Sequence, residues 1–157
     1  MKISGAHSIP VMQERAYVLL RDPVILARCM PGCDALERIG EDEYEMKMKM
    51  VISSVQGLFA GKVRVADQTA PVSFRLIVEG NGKVGFMKGE GLLTLTEEDG
   101  GTQVQYDGEV QIGGMIAGVG QRLLDATAKL VIRKFFEKLI ASIAGETQQA
   151  AVGPAAR

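Results

Sequence analysis

Few residues in this chain could do chemistry. The most conspicuous are Cys29 and Cys33, four positions apart around Pro31-Gly32 in the stretch RCMPGC (28–33). A C-x-x-x-C pair is half of a tetrahedral zinc site. Nothing near it in the sequence supplies the other half, and the single histidine, His7, excludes a His-rich centre. The pair could be a redox couple, a partial metal site, or two small apolar side chains at a helix-ending corner. The last reading is favoured, because free Cys most often packs as a small hydrophobe. Neither HExxH nor GxSxG occurs. General acid–base catalysis requires titratable groups that converge in a pocket. Whether His7 and the phenols of Tyr44 and Tyr106 converge depends on the elements that carry them.

Those elements follow from periodicity. KISGAHSI (2–9) alternates and predicts a first strand, ended by Pro10. VMQERAYVLLRD (11–22) carries Val11, Ala16, Leu19 and Leu20 near helical spacing, and Asp22-Pro23 reads as an N-cap with proline at the first position of a second short helix, VILARCM (24–30). From 35 to 112 the period becomes two, with turn signals at 40–42, 53–54, 80–82 and 99–101, which predicts about six strands joined as antiparallel hairpins. From Gly113 to about Ala144 the pattern is helical again, and 145–157 has too small an apolar face to pack and reads as a disordered tail. An antiparallel sheet of this size must bury one face, and only the C-terminal helix is long enough to cover it. The expected fold is therefore α+β: a helix-grip domain over residues 1–144, in which a curved antiparallel sheet wraps around a long C-terminal helix, with two short helices after the first strand.

The strand faces carry the functional information. Tyr44, Met46, Met48, Met50 and Ile52 share one face, with Glu45, Lys47 and Lys49 on the other. Phe59, Gly61, Val63 and Val65 oppose Lys62 and Arg64; Phe74, Leu76 and Val78 oppose Arg75; Met87, Gly89, Gly91, Leu93 and Leu95 oppose Lys88 and Glu90; Val104, Tyr106, Gly108 and Val110 oppose Asp107 and Glu109. The inferred inner face has no charged residue, which argues against an enzyme and for an apolar ligand site without metal or cofactor. His7, Tyr44 and Tyr106 are the candidate polar contacts to a ligand headgroup. Met46, Met48, Met50, Phe74 and Leu76 are candidate lining, with Phe86, Met87, Leu123 and Thr127 completing it. Gly61, Gly89, Gly91 and Gly108 leave that face thinly filled, read either as points of sheet curvature or as open space. Gly113, Gly114, Gly118 and Gly120 before the long helix read as tight packing or as a gate. Phe135, Phe136, Leu139, Ile140 and Ile143 form a broad apolar surface at its far end.

A net charge of −1 gives no electrostatic case for nucleic acid as a partner. No run reaches the roughly 20 apolar residues of a membrane-spanning helix. With no basic-then-apolar N-terminal pattern and only two cysteines, the expected location is cytoplasmic.

The stretches DPVILARCMPGCDALERIGEDEY, VQGLFAGKVRVAD, GFMKGEGLLTL, GTQVQYDGEVQIGG and GQRLLDATAKLVIRKFFEKL together resemble the CoxG family, the G subunits of carbon monoxide dehydrogenase, over roughly residues 2–144. The resemblance implies a START-like helix-grip fold. It also implies a non-catalytic accessory protein that links a carbon monoxide dehydrogenase-type molybdenum hydroxylase to the membrane by carrying a quinone or other lipid, placed peripherally at the inner face. Two other classes remain open: an adaptor with a filled core that docks through its surface, and a small-molecule enzyme on the same fold.

Overall fold

The computed structural model describes residues 1–52 and 54–156, with side chains described as far as residue 145. The disordered tail expected over 145–157 thus falls outside the described residues, apart from the backbone of the last helix. Chain order is β1 (Lys2–Ile9), α1 (Gln13–Leu19), α2 (Pro23–Cys29), β2 (Cys33–Gly40), β3 (Glu43–Ile52), β4 (Val55–Thr69), β5 (Ser73–Gly82), β6 (Gly85–Glu98), β7 (Gly101–Gly113), a 3-10 helix (Met115–Val119) and α3 (Gln121–Ala156). Among the described residues the seven strands form one antiparallel sheet in the order β1-β7-β6-β5-β4-β3-β2. β2 to β7 are a meander of hairpins, while the excursion through α1 and α2 lets β1 pair with β7 at the far edge. The α+β helix-grip class follows, as the alternation of the strands leads one to expect.

Local chemistry explains the helix starts. Asp22 caps α2 by accepting a hydrogen bond from the Val24 N–H at 2.9 Å, with Pro23 at the first helical position. Two boundaries differ from expectation. β5 runs through Gly80-Asn81-Gly82, and the turn falls at Lys83-Val84. The segment after β7 is not continuous helix: Gly114 (φ 85°) and Gly120 (φ 99°) take left-handed backbone that ends β7 and separates the 3-10 helix from α3.

The core is divided in two. One cluster joins α1, α2 and the C-terminal half of α3 to one end of the sheet, with Tyr17, Phe74, Leu95, Val104, Phe135 and Leu139 at its heart. The other is smaller: Ile52, Phe59, Ile116 and Leu124 close the end where the β3–β4 and β5–β6 turns meet the 3-10 helix.

Candidate functional site

The sheet between these clusters is apolar and incompletely covered. Strand register aligns Tyr44, Val63, Val78, Gly89 and Val110 in one cross-strand row and Met46, Gly61, Gly80, Met87 and Ile112 in the next. Val63, Val78, Met87 and Val110 belong to neither cluster and are only half-buried. A close-packed interior would leave such inward-facing side chains no accessible surface. Their exposure therefore marks a cleft between sheet and α3. Met46 and Met48 are buried yet also lie outside both clusters, so flexible thioethers occupy the margin of the cleft.

The glycines of this face divide by cause. A Cβ on Gly61 would land on the Glu79 carbonyl oxygen, and one on Gly108 would stand 2.6 Å from that of Glu90. There the bent sheet brings neighbouring backbone too close for any side chain. A Cβ on Gly91, which pairs with Gly108, would meet nothing nearer than 3.6 Å. Curvature accounts for Gly61 and Gly108, open space for Gly91. Gly61→Ala is accordingly expected to cost about 1–3 kcal/mol through backbone displacement. Gly91→Ala is expected to be neutral or to stabilise by up to ~1 kcal/mol through the unfolded chain. Urea midpoints of the two variants check this, and equal losses would contradict it.

Three aromatic rings stand at the edge of the cleft. The His7 imidazole stacks on Phe136 of α3 (4.3 Å between centroids, 14° between planes) and lies nearly parallel to Tyr106 at 6.0 Å and 11°. The Tyr106 ring lies flat over Gly5 of β1, its register partner, where a Cβ would collide with the phenol oxygen. Among the described residues neither the imidazole nor the Tyr106 hydroxyl has a hydrogen-bond partner, and neither is so buried as to be cut off from solvent. Burial lowers the pKa of His7 from 6.5 and raises that of Tyr106 from 10.0, so both are held neutral. Tyr44, four strands away on β3, is buried in the first cluster.

A histidine whose folded pKa is depressed takes up its proton more readily when unfolded. Its contribution to stability is therefore present above the unfolded value of 6.5 and lost as pH falls through 6.5 towards the folded value. His7 is the chain's one histidine. Denaturant midpoints are expected to decline as pH drops from about 7.5 to 5.5, and His7→Phe should flatten that portion of the curve.

On α3 the inward stripe is Leu124, Phe135, Leu139 and Ile143, not the expected line through Leu123 and Leu130. The break at Gly120 resets the helical phase. Leu123 and Leu130, 37% and 39% exposed, lie with half-buried Thr127 on the flank away from Phe136, and hence away from β1. Leu123 also lines a depression of about 440 Å³ with Val119, Gly120, Gln121, Arg122 and Ala126, where the 3-10 helix meets α3. A second recess of about 220 Å³ lies on the outer face among Lys2, Arg75, Glu90, Asp107 and Glu109, a charged surface unsuited to an apolar ligand.

Of the expected lining residues, Met46, Met48, Leu76 and Met87 border the cleft, and Met50 packs on the second cluster. Phe74 does not reach the cleft: it is fully buried in the first cluster, edge-on to Tyr17 at 5.5 Å. Phe86 falls on the opposite face of the sheet, 43% exposed, its ring over Gly113, because adjacent residues of a strand point to opposite sides. Sequence reasoning missed Phe136 as the stacking partner of His7, a contact between the first strand and the last helix that no local pattern encodes. Cys29 is completely buried in the first cluster, and the Cys33 thiol donates to the Ala35 carbonyl oxygen at 3.5 Å. Burial raises both thiol pKa values, which disfavours the thiolate needed for redox or metal chemistry. No group of three or more potential metal ligands occurs among the described residues.

The family model for the G subunit of carbon monoxide dehydrogenase (CoxG) matches residues 5–144. The chain belongs to this family. A search of curated proteins finds no match. A conserved protein from Geobacillus kaustophilus of known crystal structure is similar to this CoxG-family chain at 36% identity and a TM-score of 0.88, covering 92% of this chain and 96% of that one. A START superfamily protein from Mycobacterium smegmatis superposes with a TM-score of 0.68 at 12% identity, covering 92% and 97%. A protein from Thermus thermophilus superposes at 0.62 with 18% identity, covering 90% and 99%. The last two show the fold alone: the CoxG-family chain has the START-like helix grip. No helix of its described residues is long and apolar enough to cross a membrane.

Proposed function

We propose that this CoxG-family protein is a non-catalytic carrier of an apolar ligand, a quinone or other lipid. In that role it serves a carbon monoxide dehydrogenase-type molybdenum hydroxylase at the membrane surface. The observation that carries this reading is the half-buried apolar band between two separate core clusters. A protein of this size gains stability by filling its interior, so an uncovered apolar cleft beneath its longest helix has a use other than folding. Apolar burial supplies about 25 cal/mol per Å² towards ligand affinity, before the cost of association. Methionine at the margin suits a cargo that must enter and leave. The chemistry of the inner face supports the non-catalytic role: its titratable side chains are held neutral, and its strands turn their carboxylates outward. Family membership supports the hydroxylase as partner.

Native mass spectrometry of protein purified without detergent tests the reading, followed by solvent extraction and an absorbance spectrum. A bound species of several hundred daltons with quinone absorbance is the expected result. A clean apo mass that persists after incubation with quinones and other lipids would favour the adaptor with a filled core.

A further inference from the structure

The cleft that would hold the cargo has a specific electrostatic character. Along β3 to β7 every lysine and arginine of the bordering rows points to the outer face: Lys47, Lys49, Lys62, Arg64, Arg75 and Lys88 all alternate with the apolar positions. Arg75 is held there by Asp67 and Glu90, at 3.1 Å and 3.7 Å. α3 turns Leu124, Phe135 and Leu139 inward, with its basic residues Lys129, Arg133 and Lys134 exposed. The cation nearest the interior is Arg21, which pairs with Asp42 at 3.6 Å and lies over the Tyr17 ring at 5.0 Å, within the first cluster's end of the molecule. A carboxylate placed in the cleft would therefore be desolvated with no partner charge, a large penalty.

What the cleft offers instead is flat and neutral. Gly108 and Gly91 pair across β7 and β6, keep accessible surface, and leave bare backbone where other rows carry side chains. Gly108 is two residues from Tyr106 on the same face, so this floor adjoins the Tyr106–His7–Phe136 stack. The Tyr106 hydroxyl can donate a hydrogen bond, and the neutral imidazole can donate from one nitrogen and accept at the other. We infer that the site selects an uncharged, planar headgroup bearing hydrogen-bond-accepting oxygens, seated on the Gly91–Gly108 floor against Tyr106 and His7, and discriminates against anionic lipids such as fatty acids. This inference rests on the carrier reading and adds to it the chemistry by which cargo is chosen.

Calorimetric titration at about pH 7.5 with three probes of equal ten-carbon tail separates the two. The probes are 2-decyl-1,4-naphthoquinone, decanoate and 1-decanol. The quinone is expected to bind at least about tenfold more tightly than decanoate. His7→Phe and Tyr106→Phe keep the ring stack and remove one polar partner each. Each should weaken quinone binding by about 3–10-fold while leaving decanol binding unchanged. Decanoate binding as tightly as the quinone would overturn the inference, as would quinone affinity indifferent to both variants; in either case decanol binding would still leave the carrier reading standing. If none of the three probes binds, the carrier reading fails and takes the inference with it.

Discussion

Phe74→Ala is expected to lower the stability of the fold by about 3–5 kcal/mol. The side chain is wholly inaccessible, packs edge-on to Tyr17, and lies where α1 meets β5 in the first cluster. Truncation there leaves a void that Tyr17 cannot collapse to fill, because its hydroxyl is committed to the Ser73 carbonyl oxygen at 3.3 Å. A matched pair on the same sheet face isolates the effect of position. Val104 is fully buried in the cluster, whereas Val78 is half-buried and in neither cluster. Val104→Ala should cost about 2 kcal/mol, two methylene equivalents plus a cavity, and Val78→Ala less than about 1 kcal/mol. Urea denaturation reads all three. Equal losses for the two valines would mean that the band between the clusters is core like the rest.

Met48→Trp is expected to abolish ligand retention while leaving the fold nearly intact. In a close-packed interior, enlarging a methionine to an indole forces rotamer and backbone strain of about 1–3 kcal/mol. Met48 is buried but lies outside both clusters, opposite Phe59 and Cys33, so an indole here can extend into the cleft. The denaturation midpoint should therefore correspond to a loss below about 1 kcal/mol, with affinity for an apolar probe reduced at least about tenfold. Unchanged binding with a fully folded variant would place the ligand elsewhere.

Much of this architecture is legible in the sequence, because a half-buried strand announces its faces. Glu45, Lys47 and Lys49 alternate with Tyr44, Met46 and Met48, and the structure keeps that division. The capped start of α2 is equally local. Three features are not. The partnership of β1 with β7 joins residues about a hundred positions apart, and with it comes the His7–Phe136 stack. The phase of α3 depends on the backbone at Gly120, whose left-handed φ rotates the inward stripe from Leu123 to Leu124. In β6 the run Phe86-Met87 and the pair Leu92-Leu93 make both faces look apolar, and only the register with β5 and β7 assigns Met87 inward and Phe86 outward. Composition also could not separate curvature from vacancy at the glycines. Gly61 and Gly91 are alike in sequence context but differ in whether neighbouring backbone or open space lies above them.

The most direct test of the cleft uses the methionines as reporters. Their methyl groups, labelled with carbon-13 and assigned by substitution, are followed by NMR as a decyl naphthoquinone is added. Saturable shifts confined to Met46, Met48, Met50 and Met87, with exposed Met12 at the far end unmoved, are the expected result. Shifts at Met12 or Met115 alone, or none at saturating probe, would contradict a ligand site between the two core clusters.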